Sequence, residues 1–151
     1  MIKKLFIFLG LSLPLSFMTS LALSQTAIAP ALYVKAGDIN EALSKSAAER
    51  TGMAVGTITT TDTYRINLIR RTEAAGAIVH EVGTELHYIT EGAGVLVTGG
   101  TILRATDGGR ATIKDGLACR VTVGDAILIP VGTPHWYSAV DGAISYLEVR
   151  F

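Results

Sequence analysis

All three histidines of this chain fall in two short stretches, and a carboxylate stands among them. His80, Glu85 and His87 lie close together. His135 ends a run in which Gly124, Asp125, Pro130, Gly132 and Pro134 punctuate a short apolar segment over 126–129. Two imidazoles and a carboxylate brought from separate strands make a facial triad, a donor set that suits Fe(II), Mn(II), Ni(II) or Zn(II). His80, Glu85 and His135 are therefore the candidate metal ligands, with His87 beside them as a ligand or as a neighbour that orients one.

Such a triad needs rigid strands to hold it. The apolar run over 126–129 has strand length, and Pro130 ends it because proline cannot donate to a sheet ladder. Gly132 and Pro134 then shape a turn, so that His135 opens the next strand at a defined angle. Upstream, Val82, Gly83 and Thr84 read as a bend and residues 85–90 as a strand. Alternation puts Glu85, His87 and Ile89 on one face and Leu86, Tyr88 and Thr90 on the other. With His135 facing inward, Tyr137 does too and Trp136 faces out. A tyrosine hydroxyl near a metal can donate a proton or hold a substrate oxygen. His87 and Tyr137 are thus the candidate catalytic side chains. Tyr146 and Glu148 share one face of the last strand, and alternation alone does not say which.

Short strands and glycine turns fill the chain from Val55 onward. Strands are expected over 64–71, 77–81, 85–90, 94–98, 101–105, 110–113, 121–123, 126–129, 135–139 and 143–149, with a tight hairpin at Glu91, Gly92 and Ala93. No helical pattern interrupts them, so the region is all-β, a sandwich or closed barrel. Ahead of it, Asp38 offers an N-cap with Glu41 three residues on, and a short helix is expected over 39–49. The lone Cys119 excludes an intrachain disulfide. Leu117, Cys119, Val121 and Val123 alternate with other residues, which places the thiol on the inner face of a strand.

Lys3 and Lys4 precede an apolar run over 5–23, and Ala22 and Ser24 suit a small-residue cleavage site. Residues 1–24 thus read as a signal peptide, implying export to a bacterial periplasm or beyond and no membrane attachment once it is removed. The whole chain has 13 basic and 13 acidic residues; losing Lys3 and Lys4 leaves 11 against 13, a net charge of −2. That balance, with no basic cluster beyond Arg70 and Arg71, excludes a nucleic-acid partner. The organisation expected is a leader at 1–24, an extension with the helix at 25–60 and a barrel at 61–151.

Over residues 64–151 the sequence resembles the cupin superfamily. Gly124, Pro130, Gly132 and His135 meet the spacing of the second cupin motif in full, although Ala139 stands where that motif closes on asparagine. His80, Glu85 and Gly92 meet the first motif in part, with Ile78 at its first histidine position. The resemblance implies a cupin jelly-roll barrel of six or more strands holding a divalent metal, Fe, Mn, Ni or Zn. By analogy with small cupins it also implies a homodimer, with Trp136 a plausible contact.

Three uses of such a barrel compete: an enzyme of oxygenase, isomerase or lyase type acting on a small organic molecule, a non-catalytic binding module for a small molecule or metal, and storage. The fold does not select among them. The thin polar inventory argues for a small, weakly charged ligand. Arg65, Arg104 and Arg120 are the basic side chains within reach of the mouth.

Overall fold

Two long strands carry the architecture and most of the functional side chains. The computed structural model describes residues 28–151, so the leader expected at 1–24 lies outside the described residues. In the compact unit from Tyr33 to Phe151, helix α1 (Ala36–Glu49) precedes the strands. These are β1 (Met53–Thr60), β2 (Arg65–Arg71), β3 (Glu85–Thr98), β4 (Thr101–Leu103), β5 (Thr112–Lys114), β6 (Leu117–Thr122), β7 (Ala126–Ile129) and β8 (His135–Arg150). β8 lies between β2 and β3, β1 extends the sheet beyond β2, and β6 and β7 both pair with β3. β4 and β5 form a separate ribbon. Every pairing is antiparallel, as the expected all-β jelly-roll requires. The segment expected as an extension ends in β1, the edge strand of the main sheet.

β3 and β8 pair from Glu85↔Arg150 to Thr98↔His135, and this differs from the expected pattern. The hairpin expected at Glu91, Gly92 and Ala93 does not form, because β3 runs straight through it. Likewise 135–139 and 143–149 belong to one strand. The glycines serve close approach instead of a turn. A Cβ on Gly92 would lie 1.9 Å from the Ala143 carbonyl oxygen, and one on Gly94 would lie 2.6 Å from that of Ala139. Such contacts between neighbouring backbones tolerate only glycine.

Bulges along this pair switch its faces. Thr90 is an extra residue on β3 between Ile89↔Tyr146 and Glu91↔Ser145, and Ser138 is one on β8 between Leu96↔Tyr137 and Val95↔Ala139. On β3 the buried set therefore passes from Glu85, His87 and Ile89 to Gly94 and Leu96, and on β8 from His135 and Tyr137 to Ile144, Tyr146 and Glu148. Ile69, Ile89, Leu96, Val121, Ile129 and Ile144 pack the core with Tyr137 and Tyr146.

Three local expectations change. The segment 77–81 makes only an isolated bridge, at Ile78↔His135. Helix α1 starts a turn early, because the Lys35 carbonyl accepts from the amides of Asp38 and Ile39. Lys35 is thus the N-cap and Asp38 stands in the first turn, where its charge favours the positive end of the helix. Cys119 is exposed, not inward-facing, and Leu117 is 67% exposed. β6 is an edge strand with both faces of its first four residues exposed, so its alternation does not mark a core face.

Candidate metal centre

Glu85 is the hub of the interior polar cluster. It opens β3 and is 2% exposed, and alternation carries His87 to the same face, also 2% exposed. His135 opens β8 opposite them, fixed by reciprocal backbone hydrogen bonds with Ile78 at 2.9 and 3.0 Å. His80 lies in the loop before β3, and its carbonyl accepts from the Gly132 amide at 2.8 Å. The expected ligands thus converge. His80 Nε2 is 3.2 Å from Glu85 Oε1, and His135 Nε2 is 3.2 Å from Oε2. His87 Nε2 also lies 3.4 Å from Oε2.

Residues around this hub fix its geometry. Arg150 Nε donates to Glu85 Oε1 at 2.7 Å; Arg150 Nη2 donates to the same oxygen and to His80 Nε2, the latter at 2.6 Å. His135 Nδ1 donates to the Thr133 carbonyl at 3.0 Å. His87 Nδ1 lies 3.2 Å from the Tyr137 hydroxyl. Tyr146 stacks on Tyr137 and against His87, with ring centroids 5.0 and 4.5 Å apart, and its hydroxyl accepts from Arg71 Nε at 2.9 Å. Glu148 is buried too, and Asn67 Nδ2 and Arg65 Nη2 donate to its Oε1 at 3.0 and 3.3 Å.

These surroundings set the charges. Burial alone would raise the Glu85 carboxyl, but the Arg150 guanidinium bonded to it holds it well below the ordinary carboxylate range. Desolvation lowers His80, with Arg150 and His135 adding to the effect against the opposing pull of Glu85. Burial raises both Tyr137 and Tyr146, so each keeps its hydroxyl proton at neutral pH.

Among the described residues, two sets of donors have atoms within 4.8 Å of one another: His80, Glu85 and His135, and Glu85, His87 and Glu148. Their chemistry fits a divalent cation. Imidazole and carboxylate are its usual ligands, and buried His87 Nε2 has no hydrogen-bond partner among the described residues. A cavity of about 20 Å³ lies against Glu85, His87, His135, Tyr137, Tyr146 and Glu148, room for one water-sized atom. A second hollow, of about 320 Å³, shares Arg71, Ala75, Gly76 and Ile78 with its wall.

His87 and Tyr137, the candidate catalytic pair, are joined by a hydrogen bond inside the site. The sequence reading missed Arg150, Arg71, Asn67, Tyr146 and Glu148. Tyr146, Glu148 and Arg150 alternate along the end of β8, and that spacing was the available signal. Of the arginines expected near the mouth, Arg65 reaches the site through Glu148, whereas Arg120 bridges to Asp141 at 2.6 Å on the exposed surface and Arg104 is exposed. Trp136, expected outward, is half-buried with its indole Nε1 enclosed and unpartnered.

No protein-family model and no curated protein matches the sequence. Solved structures do. The iron(II) form of HppE superposes with a TM-score of 0.53 at 14% identity, over 66% of this chain and 50% of that one. KdgF from Halomonas sp. gives 0.50 at 16% identity, over 67% of this chain and 81% of that one. A cupin superfamily protein from Desulfitobacterium hafniense DCB-2 gives 0.49 at 16%, over 68% and 80%. This chain spans about half the length of the HppE structure it matches. Likeness at this level of identity concerns the fold, and the fold of this chain is the cupin jelly-roll barrel.

Proposed function

We propose that this chain binds one divalent metal ion, Fe, Mn, Ni or Zn, inside its barrel and acts there on a small organic molecule. The observation that carries the reading is Glu85, a buried carboxylate with the Nε2 atoms of His80, His87 and His135 within 3.4 Å of its oxygens. Catalytic metal sites keep positions open to water or substrate. A bound ion supplies Lewis acidity toward a substrate oxygen, or redox capacity where it is iron.

The chain's own residues supply the rest. Tyr137 remains protonated and its hydroxyl is held on His87 Nδ1, so it can give a proton or hold a substrate oxygen. Tyr146 and Arg71 brace it, the Arg71 guanidinium carbon lying 5.6 Å from the Tyr137 ring centroid. The 320 Å³ hollow falls within the range of ligand pockets. A molecule seated there would meet Arg71 and reach the inner cavity past Gly76 and Ile78. HppE structures include one of a cobalt(II) form in complex with substrate, a precedent for small-molecule binding in this fold. Oxygenase, isomerase and lyase chemistry all remain within the proposal. Export through the leader at 1–24 and pairing of two copies belong to it as well.

One observation favours a second reading, a barrel that holds metal or a small molecule without turnover: the inner cavity is far smaller than any organic substrate. Elemental analysis of protein purified from its native compartment, with a substrate panel, separates the two. The enzyme reading expects stoichiometric metal and turnover, with Glu85→Gln losing both while the far-UV spectrum is retained. Metal without turnover on the panel supports the second reading, and the absence of metal contradicts both metal-based readings.

A further inference from the structure

The two oxygens of Glu85 face different partners, and hydrogen-bond chemistry distinguishes them. Arginine has donors only, so His80 Nε2 must accept the Arg150 bond and its ring is neutral. On this outer side two acceptors, His80 Nε2 and Glu85 Oε1, are bridged by a guanidinium. Arg150 already provides the cation there.

The inner side has acceptors without a bridging donor among the described residues. His135 Nδ1 gives its hydrogen to the Thr133 carbonyl. In a neutral ring this leaves Nε2 as a lone pair, 3.2 Å from the carboxylate oxygen Oε2. Neither atom offers the other a hydrogen, so the pair adds negative potential on this inner side. His87 Nε2, buried and without a hydrogen-bond partner, stands 3.4 Å from the same oxygen. Glu148 completes a set with Glu85 and His87 whose donor atoms lie within 4.8 Å of one another, close to the span of donors on one ion with bonds of about 2.0–2.2 Å. The small cavity is lined by Glu85, His87, His135 and Glu148 but not by His80.

We propose that the ion sits on the inner side of Glu85, held by the Glu85 carboxylate, His87 Nε2 and the Glu148 carboxylate, while Arg150 takes the place of a cation beside His80. The inference rests on the metal-binding reading above and differs from the set His80, Glu85 and His135 in exchanging both of its imidazoles for His87 and Glu148. Asn67 and Arg65, both donating to Glu148 Oε1, are positioning residues for this seat.

Zinc(II) titration of the metal-stripped full chain by calorimetry, joined to long-range ¹H–¹⁵N spectra of the imidazoles, tests it. The expected result is one zinc per chain, with Nε2 of His87 shifting and Nε2 of His80 unmoved. His80→Ala should bind zinc about as tightly as the wild type. Glu148→Gln and His87→Gln should each weaken zinc by at least the roughly 10–100-fold seen for residues that only orient a ligand. The wild-type spectra need no variant to fold, so they decide the matter if His87→Gln does not. Zinc that shifts His80 and spares His87, or that is lost in His80→Ala alone, overturns the inner seat but leaves metal binding intact. A wild-type chain that takes up no zinc overturns both.

Discussion

The outer and inner sides of Glu85 belong to one carboxylate, yet they are built on opposite principles. Outside, Arg150 compensates the charge from within the chain, and His80 accepts from the same guanidinium. Inside, imidazoles and a second carboxylate crowd a small cavity, and no basic side chain donates to Oε2 among the described residues. Buried charge is costly unless paired. The difference teaches that this interior is charge-compensated from within the chain on one side and, in the proposed reading, left for a cation on the other.

Removing the shared carboxylate should have the largest effect. Glu85→Ala leaves the Arg150 guanidinium without its carboxylate and should destabilise the metal-stripped chain by about 3 kcal/mol, the low end for breaking a buried pair because Arg150 is partly exposed. Urea denaturation reads that loss, and the variant should bind no zinc. Arg150→Met sharpens the contrast by moving stability and affinity in opposite directions. The metal-stripped protein should lose about 1–3 kcal/mol as Glu85 loses its charged donor. Zinc binding should tighten, because a positive charge next to the shared carboxylate is gone. An Arg150→Met variant that binds zinc less well would place the arginine in the seat's support.

Much of this contrast was legible in the sequence. The spacing from Gly124 to His135 and the alternation of Glu85, His87 and Ile89 give the convergence seen in the structure, because strand alternation is local and Pro130 and Gly132 leave little freedom. The inner seat was hidden by the bulge at Ser138. One extra residue there reverses which face of β8 is buried, so Tyr146, Glu148 and Arg150 could not be assigned a side by counting from His135. Gly92 misled in the same way. Its left-handed φ of +71° suits a turn, but what demands glycine is the Ala143 carbonyl of the neighbouring strand. Cys119 failed for another reason: edge strand β6 is wet on both faces over its first half, so alternation there carries no burial information.

Smaller effects probe each side separately. Tyr137→Phe removes the partner of His87 Nδ1 and should cost about 1 kcal/mol of stability, with weaker zinc binding read by calorimetry and no change at His80. The pH dependence of the metal-stripped chain reports the outer side. His80 is depressed below its reference value of 6.5, so the unfolded state binds more protons, and stability should decline as pH falls below about 6.5. Glu85 is depressed from 4.5, so its contribution is present above that value and a second loss should begin below it. Chemical denaturation across pH 3 to 8 checks both; stability that rises on acidification would contradict the assigned directions. Exposed Cys119 should react with a thiol reagent in the native protein without loss of zinc.

The most direct test is an anomalous difference map from a crystal of this chain soaked in manganese(II) or cobalt(II). The account predicts one peak within bonding distance of Glu85 Oε2 and His87 Nε2, with the Arg150 guanidinium still on Oε1 and His80. A peak between His80 and Oε1 with Arg150 displaced would contradict it.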